Sequence, residues 1–323
     1  MPYSPASPSP YAPPATAPAY GTPYSSAPPA DPFATTSQPL FPGSGPTWPQ
    51  GEPWASVQQT MRFMQEIRLR ATWLADFGGD DALGVTDVEL SATFAWPLFY
   101  NQSPLLITPG FAVHYWDGPL TKPPLFADLP PRTYDAYLDF AWLPQINNWF
   151  SVDLGVRVGV YSDFETFETD SLRIMGRGLG IVRLNETVQL AAGVVYADRL
   201  RIKLLPAGGV IWTPNADARY EIVFPKPKLS HRWTTWGTTD LWAFVGAEIG
   251  GGSWTVERLT VGNDTFDYND IRVFVGLDTT GPRGLRTTLE VGYVFDRQLI
   301  YKSSLPREFD LAETLMVRGT VAY

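Results

Sequence analysis

Few residues in this chain are suited to chemistry, and their scarcity narrows what it can do. Cysteine is absent, so disulfides and thiolate metal sites are excluded. Only two histidines occur, His114 and His231, which rules out a histidine-rich metal centre and leaves two imidazoles to serve as the base of a His/Ser-type barrel enzyme. Neither stands in a nucleophile motif, and no G-x-S-x-G is present. The plain reading of each is a hydrogen-bonded bystander in a strand. Asp163, Glu165, Glu168 and Asp170 fall close together and could hold Ca²⁺ through oxygens, with a solvated acidic loop as the simpler reading. Gly250-Gly251-Gly252 is followed by neither a Lys-Ser/Thr pair nor a helix pattern, so it is not a phosphate loop; it permits a bend or bulge in a strand. Arg173 and Arg177 could pair with Asp139 and Asp153 as a charged constriction, or could simply be solvated. No cofactor and no metal is expected.

Composition narrows the class further. The chain has 323 residues with Lys+Arg 24 against Asp+Glu 33, a formal charge of −9. Nucleic acid, which needs a basic surface to neutralise phosphates, is excluded as a partner. Aromatic residues make up 14%, with Trp 12 and Tyr 15, as expected either at a membrane–water boundary or in a large β core. No apolar run reaches the ~18 residues of a transmembrane helix. Residues 1–55 are rich in Pro, Ser, Ala and Thr and hold 16 of the 31 prolines. Such a segment cannot supply ladder donors or a core, so it is expected to be disordered or polyproline-like, either a spacer or a dispensable tail. No Lys or Arg precedes Arg62, so the positively charged start of a secretory signal is missing, and an exported precursor would begin elsewhere. Ser56 to Gln65 is predicted as a short helix capped by Ser56.

From Glu66 onward the hydrophobic period is two. Ile67, Leu69, Ala71 and Trp73 share a face opposite Arg68 and Arg70; Val88, Leu90, Phe94 and Trp96 oppose Asp87 and Glu89. Tyr134, Leu138, Phe140 and Trp142 oppose Asp135 and Asp139, and Val152, Leu154, Val156 and Val158 oppose Asp153 and Arg157. The alternation returns through Arg173 and Arg177, through Val188 to Tyr196, and through Ala218 to Phe224 around Glu221. It continues around Glu248, Arg272 and Glu290, the last with Phe295 on its apolar face. Pro225-Lys226-Pro227 interrupts the pattern and is predicted as a hairpin tip, since proline cannot donate to a central ladder. The final stretch, Leu311 to Tyr323, places Leu315, Val317, Val321 and Tyr323 on one face and Arg318 on the other.

Counted this way the chain holds about 14 strands, within 12–16, an even number. Short connections near Pro144–Asn148, Leu184–Thr187 and Pro214–Asp217 alternate with longer polar ones near Asp117–Arg132, Ser162–Asp170, Gly262–Asn269 and Ser303–Asp310. That pattern predicts an all-β fold over residues 56–323, an antiparallel up-and-down transmembrane β-barrel. In a soluble sandwich the charges would face water; in a membrane barrel they line the lumen. The lumen-lining candidates are Arg68, Arg70, Glu89, Asp135, Asp139, Asp153, Arg157, Arg173, Arg177, Glu221, Glu248, Arg272, Glu290 and Arg318. Trp96, Trp142, Tyr196, Phe295 and Tyr323 are expected as interface aromatics. By parity His114 points to the lumen and His231 to the apolar face.

The closing strand, ending on an aromatic residue, resembles the C-terminal signature of bacterial outer-membrane β-barrels. GVVYADR at Gly193–Arg199, the stretch Leu204–Pro227, and GYVFDRQLIY at Gly292–Tyr301 resemble a domain-of-unknown-function family of such barrels. The resemblance spans roughly residues 60 to 323 and implies the fold, the outer membrane, its lipids and the barrel-assembly machinery as partners, and no reaction. Barrels of roughly 8 strands are filled by side chains and those of 16–18 leave a channel, so about 14 predicts a narrow passive pore for small solutes. A sealed structural or adhesive barrel is the alternative, and a barrel enzyme of the lipase or acyltransferase kind comes last.

Overall fold

A computed structural model describes residues 63–97, 103–118, 128–165, 168–237, 239–259, 261–280, 284–303 and 308–323. The Pro-rich segment 1–55 and most of the expected Ser56–Gln65 helix lie outside these residues. The end of that stretch corrects the expectation, because Met64 and Gln65 open the first strand. Sixteen strands follow in order: β1 (Met64–Leu74), β2 (Gly84–Trp96), β3 (Leu105–Asp117), β4 (Arg132–Trp142), β5 (Gln145–Asn147), β6 (Phe150–Ser162), β7 (Leu172–Arg183) and β8 (Val188–Tyr196). The second half comprises β9 (Leu204–Asn215), β10 (Ala218–Phe224), β11 (Lys228–Trp236), β12 (Thr239–Arg258), β13 (Gly262–Thr280), β14 (Arg286–Tyr301), β15 (Glu308–Leu311) and β16 (Thr314–Ala322). Apart from the short β5 and β15, these form a closed antiparallel barrel of 14 strands.

Closure is made by the first and last strands. Arg68 pairs with Ala322 and Leu74 with Met316, and Ile67 and Tyr323 exchange both backbone hydrogen bonds, at 2.8 and 2.9 Å. No sheet edge is left along this seam, which is what a β-structure needs in lipid, where an unpaired backbone group has no water to bond. Pro225-Lys226-Pro227 is the tip it was predicted to be: β10 and β11 pair antiparallel on either side of it.

The two faces of the wall are inverted relative to a soluble fold. On the outside Leu90 is 53% exposed, Ile174 54% and Leu289 54%, whereas on the inside Asp139 and Glu290 are each 1% exposed and Arg157 2%. Apolar groups outward and charges inward is the arrangement of a barrel whose outer solvent is lipid.

The upper part of the barrel departs from the expected loops. Gly262–Asn269, expected as a long polar connection, is instead the start of β13 and pairs with β12 up to Arg258↔Gly262. Asp264, Asp267, Asn269 and Asp270 made this stretch read as a loop, yet all are buried, because the β12–β13 hairpin runs into the barrel mouth. The neighbouring strand β11 stops pairing at Lys228↔Gly246, so β12 continues without it. Gly251, at φ +88, marks the bend; a Cβ there would stand 1.9 Å from the Tyr268 carbonyl oxygen. Beyond it the hairpin crosses the lumen and meets the opposite wall, where Thr255 pairs with Ser162 of β6 in parallel register. Asp163 Oδ2 accepts the Glu257 N–H at 2.7 Å and Trp254 Nε1 donates to Asp135 at 2.7 Å, fastening the hairpin there.

Under the hairpin lies an aromatic cluster. Trp116, Trp254, Phe266, Tyr268 and Tyr301 pack with Leu74, Leu83 and Val256, all between 0% and 7% exposed. Trp116 meets Trp254, Phe266 and Tyr268 edge-on at centroid distances of 5.2, 5.5 and 5.7 Å, the arrangement that aligns ring edges with ring faces.

The inverted faces give a direct test. Val156 lies mid-strand on the outer face and is 47% exposed. Val156→Arg is expected to cost ~2–4 kcal/mol in folding equilibria measured in lipid vesicles, as for a cation at the lipid midplane. A change within about 0.5 kcal/mol, ordinary for a water-exposed site, would contradict the lipid-facing assignment.

Candidate functional site

The barrel interior is built from the inward positions of nearly every strand, so its geometry follows from the pairing register. Across β4 and β6, Asp139 is opposite Arg157; across β14 and β16, Glu290 is opposite Arg318; across β1 and β2, Arg70 is opposite Glu89. Opposite charges directly across a ladder are close enough to pair. Arg157 Nη2 lies 3.1 Å from Asp139, and Arg70 bonds Glu89, which also accepts from Tyr137 Oη. Arg318 bonds both Glu290 and, at 2.6 Å, Glu248.

Glu248 is the hub of the interior. Its carboxylate meets Arg318, Lys226 at 3.1 Å and Arg272 at 3.6 Å, three cations brought from β16, the β10–β11 tip and β13. Arg272 is held in turn by Asp270, with both oxygens accepting at 2.8 and 2.9 Å. Sequence reasoning singled out Glu248, Arg272, Glu290 and Arg318 separately; the fold brings these four together. Arg68 lies lower, on Glu66 at 2.6 Å, and Glu221 pairs with Arg219 at 2.8 Å, both apart from the hub. The envisaged constriction of Arg173 and Arg177 with Asp139 and Asp153 does not form as a unit. Asp153 takes Arg177 at 3.0 Å, Asp139 takes Arg157, and Arg173 stands apart, donating to the Asp198 carbonyl at 2.8 Å.

His114 does face the lumen. Its Nδ1 lies 2.7 Å from Asp87 and its Nε2 3.1 Å from Asp135, and its ring sits 5.0 Å from Trp254. With both ring nitrogens facing carboxylates, no lone pair is presented to a nucleophile. His231 is exposed on the outer face, hydrogen-bonded through Nδ1 to the Arg232 carbonyl at 2.9 Å. The acidic run is spent on structure. Asp163 anchors the hairpin, Glu168 accepts from Asn263, and Asp170 pairs with Lys302. Among the described residues no group of three or more potential ligands could hold a metal. The aromatics Trp96, Tyr196 and Tyr323 are 54%, 39% and 57% exposed on the outer wall, and Trp142 and Phe295 are partly exposed there.

One residue that sequence reasoning did not single out organises the mouth. Arg199, in the connection after β8, reaches over the short β10–β11 hairpin to the bend of β12. It donates to the carbonyls of Gly250 and Gly251 at 2.7 Å each and to Asn269 Oδ1 at 2.9 Å. These carbonyls lie beyond the last β11 pair, Lys228↔Gly246, and a guanidinium bonds them there. Asp267, on the hairpin, accepts the Leu200 and Arg201 N–H groups at 2.7 and 3.3 Å. Burial lowers the pKa of Arg199. No local signal marks Arg199, because its partners lie more than fifty residues along the chain.

Beneath the hairpin is a cavity of about 100 Å³, lined by His114, Trp116, Arg173, Arg199, Lys226 and Trp254 among others. It is polar on the Glu248 side and aromatic on the hairpin side. The lumen is thus crossed by ion pairs and covered by rings on the hairpin side.

Removing the hub should expose how much these pairs hold. Glu248→Ala leaves Lys226, Arg272 and Arg318 short of their shared carboxylate, and is expected to lower stability by about 3 kcal/mol in denaturant titration. Glu308→Ala, which removes the exposed partner of Arg201, is expected to change it by less than about 1 kcal/mol. Equal effects would mean that the interior network is solvated like a surface.

No family model and no curated protein matches the chain. Among solved structures, LpxR from Salmonella typhimurium aligns at 12% identity with a TM-score of 0.39, over 80% of this chain and 99% of that one. A bacterial polysaccharide outer membrane secretin aligns at 10% identity and TM-score 0.41, over 82% and 99%. A Rh. blastica porin variant aligns at 10% and 0.33, over 80% and 99%. The chain's own strand order, seam and inverted faces give it the fold of an outer-membrane β-barrel.

Proposed function

We propose that this chain resides in a bacterial outer membrane and is a narrow pore for small solutes, closed at rest by the β12–β13 hairpin. The observation that carries this reading is the hairpin itself. It is mounted on a glycine bend, folded inward over a polar cavity, and fastened to the far wall at Trp254, Thr255, Glu257 and Asn263. A lumen carrying charges of both signs in matched pairs favours little discrimination between cations and anions.

A second reading, a sealed structural or adhesive barrel, is favoured by the aromatic cluster under the hairpin, which is packed to 0–7% exposure. Catalysis finds less support, since the lumenal histidine has both nitrogens facing Asp87 and Asp135.

The absence of native cysteine makes the decisive experiment clean. Thr255→Cys with Ser162→Cys places two thiols at paired positions, within reach of a disulfide that would lock the hairpin to the opposite wall. In planar bilayers the unlocked full chain is expected to give discrete current steps, absent in the oxidised double variant and restored on reduction. Silence from inserted, unlocked protein would remove the pore and leave the sealed barrel.

A further inference from the structure

His231 is an ionisable side chain set among apolar ones on the outer wall of β11. Its Nδ1 donates to the Arg232 carbonyl at 2.9 Å, which leaves Nε2 as an acceptor in the neutral ring and a donor in the imidazolium. Among the described residues Nε2 has no hydrogen-bond partner. A polar group without a partner is costly against hydrocarbon, and an ionisable residue within a membrane span marks a functional site by default. Trp233 and Trp236, 68% and 87% exposed toward the end of the same strand, mark the headgroup level. At ~3.3 Å per residue His231 lies roughly 7 Å inside Trp233, within reach of a lipid headgroup.

His231 also lines a groove of about 600 Å³ on that wall, within the ~300–1,000 Å³ of small-molecule sites. The pairing register explains the groove. Ala243 of β12 stands between His231 of β11 and Leu277 of β13, and Leu229, Val245 and Val275 form the next outward row. Each of these neighbours carries a larger side chain, so the single methyl of Ala243 makes the low point. The groove is apolar toward β14 and polar at the His231 side, which matches a lipid acyl chain joined to its headgroup. Twelve residues line it, fewer than the roughly 20–30 a side of a stable protein interface, which favours a lipid over a second copy of this chain.

We propose that the outer wall at Ala243 holds one phospholipid, with an acyl chain in the groove and its headgroup at His231. A zwitterionic headgroup suits both states of the ring: its ammonium donates to neutral Nε2, and its phosphate accepts from the imidazolium. The site rests on the lipid-facing wall, and it holds whether the barrel conducts or is sealed.

The test is native mass spectrometry of the full chain in detergent micelles, titrated with phosphatidylethanolamine and separately with diacylglycerol of the same acyl chains. One phospholipid retained per chain is expected, held more tightly than diacylglycerol. Retention should weaken about tenfold in Ala243→Phe, which fills the low point, and fall to the level of diacylglycerol in His231→Ala. Ala71→Phe, on the outer face of β1 away from the groove, should bind as the unaltered protein does. Should Ala243→Phe fail to fold, Ala243→Leu takes its place. The proposal is overturned by absence of saturable phospholipid binding, by undiminished binding in the filled variant, or by diacylglycerol bound as tightly. A dimer of the unaltered chain that Ala243→Phe dissociates would put a second copy in the groove and overturn it too. Failure of the full chain to insert into vesicles would remove the lipid-facing wall itself, a result distinct from a protein that inserts yet retains no lipid.

Discussion

The structure depends on one seam. When β16 pairs with β1 from Arg68↔Ala322 to Leu74↔Met316, the sheet has no edge, and its backbone groups are satisfied without water. Everything else follows from closing a ring of this size. The outer face, freed from contact with water, can be Leu, Val and Ile throughout; the inner face inherits every polar residue that alternates with them. The seam also explains why the last residue matters: Tyr323 exchanges two backbone bonds with Ile67 and presents its ring on the outer wall.

Closing the ring creates a second problem, a space lined by charges and shut away from bulk solvent. The barrel answers it with register. Asp139 faces Arg157, Glu290 faces Arg318 and Arg70 faces Glu89 because the ladders place them so, and Glu248 then gathers three cations from separate strands. Such pairing keeps a mixed-charge interior tolerable where single charges would not be.

The mouth is decided by an asymmetry among neighbouring strands. β11 and β10 end early, leaving β12 with an unpaired side, and a long hairpin with one free flank bends at the residue that tolerates it, Gly251. Arg199 covers the exposed carbonyls, and the aromatic residues of the hairpin find partners on β3, in Trp116 and His114. Wall and inward hairpin are therefore made by the same two strands, which run from the wall into the lumen without a break in their pairing.

Much of this was legible in the chain. A period of two needs only the residues themselves, so the strands, their faces, the tip at Pro225–Pro227, the bend at Gly250–Gly252 and the lumenal side of His114 could be read without coordinates. The period alone suits a soluble sandwich as well as a barrel; amphipathic runs long enough to span a bilayer, ending in aromatics, favoured the outward apolar face. Partnership was beyond reach. That Asp153 takes Arg177 while Asp139 takes Arg157 depends on ladder register, and that Asp264, Asp267 and Asp270 are buried depends on where a hairpin goes after it leaves the wall. Polar residues in that stretch looked like a loop because alternation cannot distinguish water outside a barrel from a polar space within it. Arg199 carried no mark at all, since its role exists only where β11 is missing and Gly250 stands near. Local pattern determined the wall; contacts between residues far apart in the chain decided what fills it.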